Sequence, residues 1–133
     1  SHGGTYGGNA VACAAGVASI QAMREEHMLE NATERGIQLT TGLRKLQEEY
    51  PQIGDVRGKG LMIGTEFLVD NRPEKAKPLV NQIVHAAEER NLLLLSCGTY
   101  DNTIRWIPPL NVTGEQINDG LQVFESALKA VIK

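Results

Sequence analysis

Residues 61–69 read LMIGTEFLV, a run in which every second side chain is apolar or β-branched. This alternation is typical of a β-strand with one buried face. Glu66 falls on the opposite face, so we expect it to be exposed or salt-bridged. The residues predicted to share the buried face are Leu61, Ile63, Thr65, Phe67 and Val69.

Turn-forming residues separate this strand from its neighbours in the sequence. Gly58 and Gly60 divide it from a preceding strand around Val56, and residues 70–73 (Asp-Asn-Arg-Pro) predict a turn after it. Two further strands are predicted at residues 92–96 and 103–107, joined through Gly98 and residues 101–102.

Four helices are predicted around these strands. The first covers residues 10–27 with Asn9 as its N-cap, and the second covers residues 31–50 and is closed by Pro51. The third ends near residues 90–91, and the last begins at the N-cap Thr113. The order helix, helix, strand, strand, helix, strand, strand, helix predicts an α+β domain with a small, mainly antiparallel sheet and helices on one face.

Length and composition limit the classes of protein to which the chain can belong. Its 133 residues fit one domain, and 13 basic against 16 acidic residues give a net charge of -3. This balance argues against a nucleic-acid partner and against a basic membrane-binding patch. The longest apolar run, residues 92–95, is far shorter than the ~20 residues of a membrane span.

The sequence lacks a secretory signal, so we expect a soluble, cytoplasmic protein. It does not begin with methionine, so we also expect a piece of a longer protein.

Cysteine and histidine give no indication of a metal centre. Cys13 and Cys97 are too few for a disulfide framework and lack metal-site spacing, and the three histidines are scattered. We expect Cys13 to be a small core residue and Cys97 to be partly exposed. The chain also offers no Ser-His-Asp or Cys-His arrangement for nucleophilic catalysis.

Three segments could bind an anion, and each has a plainer interpretation. Residues 3–9 (GGTYGGN) run into a helix and could cradle a phosphate, or form only a glycine turn and cap. Arg105, in an otherwise apolar strand, could bind a carboxylate in a bidentate manner, or simply face solvent. Arg57 could bind an anion at a glycine bend, although a solvated charge at a strand end is favoured. Lys59 lacks the apolar surroundings of a Schiff-base lysine.

Taken together, several blocks resemble one family. They are residues 2–9 (HGGTYGGN) followed by 12–15 (ACAA), then 56–62 (VRGKGLM), 104–110 (IRWIPPL), and Thr113 with residues 115–117. In order and spacing they are similar to the C-terminal part of class III pyridoxal-phosphate-dependent aminotransferases, with the character of the 4-aminobutyrate, ornithine and acetylornithine enzymes. The resemblance covers nearly the whole chain.

The resemblance implies a fold, a cofactor and specific residue roles. It implies the C-terminal small domain of a fold-type I transferase, with residues 1–30 as phosphate-contacting loop and linking helix and residues 31–133 as the α+β domain. Thr5, helped by Gly4, corresponds to the residue that holds the phosphate of pyridoxal 5'-phosphate in the partner subunit of a homodimer. Arg105 corresponds to the arginine that binds a substrate carboxylate. Ala10 stands where the family usually has proline, a change without expected consequence.

The resemblance also implies that the chain lacks catalytic residues of its own. The Schiff-base lysine, the acid facing the pyridine nitrogen and the stacking aromatic belong to an upstream large domain. We therefore expect transfer of an amino group from an amino acid (4-aminobutyrate-like or ornithine-like) to a 2-oxo acid only in the full-length protein, with the isolated chain inactive. The alternatives are a free-standing, non-catalytic α+β module that binds a phosphate-bearing ligand or a protein partner, and a structural or regulatory interaction domain.

Overall fold

The computed structural model of the chain describes residues 3–5 and 7–132. Its elements follow the predicted order. They are α1 (Ala10–Glu25), α2 (Met28–Glu49), β1 (Ile53–Lys59), β2 (Met62–Phe67), a short 3-10 turn (Pro73–Lys75), α3 (Lys77–Glu88), β3 (Leu95–Cys97), β4 (Thr103–Trp106) and α4 (Gly114–Val131).

The four strands form one sheet in the order β1-β2-β4-β3, with every neighbouring pair antiparallel. The register aligns Thr65 of β2 with Val56 of β1 and Ile104 of β4. Because residues directly opposite each other in a sheet share a face, these three side chains point the same way. All three are buried, so this is the inner face of the sheet.

Three helices cover the inner face. α2 packs on β1 and β2, α3 packs on β3 and β4, and α4 lies against both helices. The ring of Phe124 on α4 meets Trp106 of β4 edge-on, with 4.9 Å between ring centroids. The indole N–H of Trp106 donates to the Thr65 hydroxyl oxygen at 3.0 Å, which satisfies the polar groups of both buried side chains. The predicted α+β class, with helices on one face, is confirmed.

The predicted helix caps are confirmed, but the end of the first helix and the start of the second differ from the prediction by two to three residues. The Asn9 side chain accepts from the Ala12 N–H, and Thr113 forms a capping box with Gln116. The first helix, however, ends at Glu25 instead of residue 27, and the second already begins at Met28. The backbone of His27 is left-handed, with φ of 49°, so His27 forms the joint between two helices and is not the last turn of the first.

The predicted strand at residues 92–96 is also too long, since β3 covers only Leu95–Cys97. Asn91 has φ of 64°, and the Leu92 N–H donates back to the Ala87 carbonyl, so this segment still belongs to the end of α3. Leu92 and Leu94 are apolar because they pack against the core. Core packing therefore explains the apolar pattern without strand pairing.

Gly36 allows α2 to lie against the turn between β1 and β2. A Cβ atom at this buried position would lie 2.3 Å from the carbonyl oxygen of Gly60. Gly36 therefore costs helix propensity but makes the close approach of helix and turn possible.

We expect Gly36→Ala to destabilise the domain by about 1–3 kcal/mol, because the added methyl group meets backbone that cannot move aside. Gly120→Ala is the control, since a Cβ there meets no atom within 4 Å. It should be neutral or stabilising by up to about 1 kcal/mol, as expected for glycine to alanine in a helix. Urea unfolding followed by circular dichroism measures both. Equal unfolding midpoints would show that the close approach is unimportant.

Candidate functional site

The glycine-rich loop before α1 is open to solvent. Gly3, Gly4 and Thr5 are exposed, and a Cβ atom on either glycine would meet nothing within 4 Å. The Gly7 N–H donates to the Gly4 carbonyl oxygen at 3.1 Å, which closes a turn around Thr5. Gly8 has φ of 80°, a conformation that favours glycine. His2 and Tyr6, which belong to the same predicted block, lie outside the described residues.

α1 follows this loop as a helix that is apolar on more than one side. Val17 and Ile20 lie one turn apart on one side, and Val11 lies on another. Within the part of the chain that the structure describes, α1 buries none of its residues, and its main contact is with α2. A helix with this character is normally buried.

The prediction that Cys13 is a core residue is wrong for this chain, because its side of α1 is exposed. Cys97 is partly exposed, as predicted.

The outer face of the sheet carries the charged residues of the strands. Across the strands, Arg57 of β1 lies opposite Gly64 of β2, which in turn lies opposite Arg105 of β4. In the next row, Asp55 lies opposite Glu66. Arg57, Asp55 and Arg105 are exposed, so helices cover only the other face.

Arg57 lies within β1 and makes ion pairs on this face. Its Nη1 atom lies 2.8 Å from Asp55 Oδ2 and 2.6 Å from Glu66 Oε2. The hydrogen bond to Asp55, followed by that to Glu66, raises the pKa of Arg57 above its ordinary value. The prediction of an anion site at a bend is wrong, because β1 continues through Arg57 to Lys59 and both carboxylates on Arg57 belong to the same chain. The favoured alternative, a solvated charge towards a strand end, agrees with the structure, since Arg57 lies two residues before the end of β1 and its side chain is 55% exposed. The predicted salt-bridged environment of Glu66 is confirmed.

Arg105 faces outward from β4, as the alternation of that strand predicts. It is exposed, and none of the ion pairs among residues 3–5 and 7–132 includes it. Gly64, opposite it on β2, has no side chain, and the Thr103 methyl group lies close to that position. The Arg105 guanidinium is therefore accessible to a carboxylate from outside the chain.

The candidate residues lie on separate parts of the chain. Gly4 and Thr5 precede α1, which mainly contacts α2, whereas Arg105 lies in the sheet.

Asn102 has a structural role that its sequence pattern, which predicts only a turn, does not indicate. Its buried amide donates to the Phe67 carbonyl at 3.0 Å and to Glu66 Oε1 at 3.4 Å. Its place in the predicted connection through residues 101–102 is the signal that the sequence offers for this role.

Neither a metal centre nor a membrane segment emerges from the described residues. Among them, no three His, Cys, Asp or Glu side chains are grouped as metal ligands would be. Over the same residues, every helix is too short or too polar to cross a bilayer.

The family model for class III aminotransferases (Aminotransferase class-III) matches residues 1–128. The chain belongs to the class III aminotransferase family. It is similar to the 5-aminovalerate aminotransferase of Pseudomonas putida, with 41% identity over 129 residues, 97% of this chain and 30% of that protein. It is also similar to the 4-aminobutyrate aminotransferase of Escherichia coli, with 42% identity over 124 residues, 91% of this chain and 29% of that protein. The acetylornithine aminotransferase of Clostridium acetobutylicum is 39% identical over 129 residues, 96% of this chain and 30% of that protein.

Solved structures of aminotransferases share the fold of this chain. An amine transaminase from an uncultivated Pseudomonas species, in its PLP-bound form, superposes with a TM-score of 0.86 at 33% identity, over 98% of this chain and 30% of that chain. The ornithine aminotransferase of Toxoplasma gondii gives a TM-score of 0.83 at 30% identity, over 98% of this chain and 29% of that chain. The class III chain thus spans about 30% of the length of the curated relatives that it matches.

We expect the isolated chain to self-associate through the exposed apolar side of α1, where Val17 is 58% and Ile20 is 55% exposed. Sedimentation velocity should show an average mass that rises with concentration. The double change Val17→Lys with Ile20→Lys should keep the chain monomeric, whereas Ile37→Lys, at an exposed position on α2, should not. A wild-type chain that stays monomeric at high concentration would contradict this expectation.

Proposed function

We propose that the chain is the C-terminal part of a pyridoxal-phosphate-dependent aminotransferase that moves an amino group from an amino acid to a 2-oxo acid. Membership of the class III family supports this proposal. The observation that carries it is the exposed guanidinium of Arg105 on a sheet face that the described helices leave open. Every amino acid and every 2-oxo acid has a carboxylate that such a group can bind.

Arg105 is proposed to orient the substrate by this carboxylate. A guanidinium offers two parallel N–H donors to the two carboxylate oxygens, which fixes direction as well as distance. β4 holds the arginine rigidly, because Ile104 and Trp106 on either side of it are buried. A carboxylate bound there would be presented from a fixed point of the small domain.

Gly4 and Thr5 fit the phosphate end of the cofactor. The bare glycine backbone lets a phosphate approach closely, and the exposed Thr5 provides a hydroxyl donor. Pyridoxal 5'-phosphate, when bound, supplies the electron-withdrawing ring that makes a proton of the substrate removable. In the proposal the covalent attachment and the proton transfers belong to residues outside this chain, which contributes only binding groups.

An upstream large domain of the same protein and a second subunit are the proposed partners. The exposed apolar surface of α1 is what such partners would cover. Gly4 and Thr5, in the loop before α1, would then bind the cofactor phosphate in the active site of the other subunit. Arg105 would bind the carboxylate of the substrate. The proposal places this homodimer in the cytoplasm.

The proposed amino donor carries its amino group at some distance from a carboxylate. Two of the relatives are named for 5-aminovalerate and 4-aminobutyrate, and a third for acetylornithine. A 4-aminobutyrate-like or ornithine-like donor is therefore the first class to test.

The isolated chain should transfer no amino group. Purified chain with added pyridoxal 5'-phosphate, 4-aminobutyrate or ornithine, and 2-oxoglutarate should match a blank that contains the cofactor alone. A rate above this blank would show that the chain contains its own catalytic base.

In the full-length protein, Arg105→Met should lower kcat/KM for a carboxylate-bearing donor by about tenfold or more, the value of a hydrogen bond to a charged group. A primary amine without a carboxylate, such as benzylamine, should lose little. Arg44→Met, at an exposed arginine of α2, is the matched control and should behave as wild type. Equal losses for both donors would argue against carboxylate binding by Arg105.

A further inference from the structure

Glu66 lies between two arginines, Arg57 on β1 and Arg105 on β4, the strands on either side of β2. Gly64, two residues before it on β2, is opposite Arg57 on one side and Arg105 on the other. Each arginine is therefore a diagonal neighbour of Glu66 on the outer face. Diagonal positions are within reach of long side chains. Either arginine is therefore placed to form an ion pair with the Glu66 carboxylate.

The structure shows Glu66 paired with Arg57. Glu66 Oε2 lies 2.6 Å from Arg57 Nη1, and Glu66 Oε1 accepts from the Asn102 amide at 3.4 Å. Both carboxylate oxygens are thus engaged, and the side chain is 27% exposed. Among the described residues, Arg105 takes no part in this network.

Arg57 also neutralises a second carboxylate. Asp55 lies directly opposite Glu66 in the register, a placement that is unfavourable for like charges. Arg57 Nη1 lies 2.8 Å from Asp55 Oδ2 and 2.6 Å from Glu66 Oε2, so one guanidinium contacts both carboxylates. Without this guanidinium, Asp55 would repel Glu66, and Arg105 would be the remaining arginine at a diagonal position to Glu66 on the same face.

We propose that Arg57 is a positioning residue that holds Glu66 away from Arg105 and so leaves Arg105 free to bind a substrate carboxylate. This inference rests on the proposed function, since it concerns the ligand of Arg105. When Arg57 loses its charge, Glu66 turns to Arg105 and competes with the substrate. Gly64 adds no side chain of its own, but the Thr103 methyl group lies 3.3 Å from where a Cβ of Gly64 would be, so the Glu66 carboxylate passes over Thr103 to reach Arg105.

The test uses the full-length protein and the variants Arg57→Met, Glu66→Gln and their combination. Glutarate, a dicarboxylate without an amino group, is titrated by calorimetry at low ionic strength, where exposed charges are least screened. Arg57→Met should weaken glutarate binding about fivefold, the most that an exposed ion pair usually contributes. Glu66→Gln should bind glutarate as wild type does, and the double variant should recover wild-type affinity within about twofold.

Two controls separate charge competition from damage to the sheet. Lys129→Met removes another exposed ion pair, that with Glu125 on α4, and should leave glutarate binding unchanged. Arg57→Lys keeps the positive charge and should stay close to wild type. If Arg57→Met does not fold, Arg57→Gln keeps a polar head on this strand and carries the same expectation.

Unchanged affinity in the folded Arg57→Met or Arg57→Gln variant would overturn the inference, as would a double variant as weak as Arg57→Met. In kinetic assays, Arg57→Met should raise the KM for a carboxylate-bearing donor and leave kcat and the KM for benzylamine unchanged. If the wild-type protein transfers no amino group at all, the proposed function fails. If it does transfer one and only the rescue by Glu66→Gln is missing, the inference alone fails.

Discussion

The alternation along β2 places Ile63, Thr65 and Phe67 inside and Gly64 and Glu66 outside, and the other elements are arranged around this division. α2, α3 and α4 can cover only the inner face, because the outer face carries charges and a glycine. The hydrogen bond between Trp106 and Thr65 then links β4 to β2 within the core. A shift of the register by one residue would exchange the two faces, so the register is strongly specified.

The same division gives Arg105, the proposed ligand of a substrate carboxylate, a rigid backbone and an exposed side chain. Arg105 stands between two buried residues of β4, so its backbone is fixed by the core even though its side chain is exposed. On the outer face, the carboxylates of Asp55 and Glu66 form ion pairs with Arg57. The class III family membership and the open guanidinium thus support one account, in which this chain supplies binding groups and other parts of the protein supply the chemistry.

The elements and the orientation of their side chains could be predicted from residue patterns. The outward direction of Arg105 follows from Ile104 and Trp106, and the caps Asn9 and Thr113 follow from their side chains. The extent of β3 could not be predicted, because Leu92 and Leu94 are apolar for packing and not for strand pairing. The exposure of Cys13 could not be predicted either, since it depends on what covers α1. The ion pair of Arg57 with Glu66 needs a strand register that no local pattern provides.

A crystal structure of the full-length protein with glutarate bound tests the role of Arg105. We expect one glutarate carboxylate on the guanidinium of Arg105, with Glu66 still paired to Arg57. A carboxylate bound elsewhere, with Arg105 turned towards Glu66 or away from the ligand, would contradict this role.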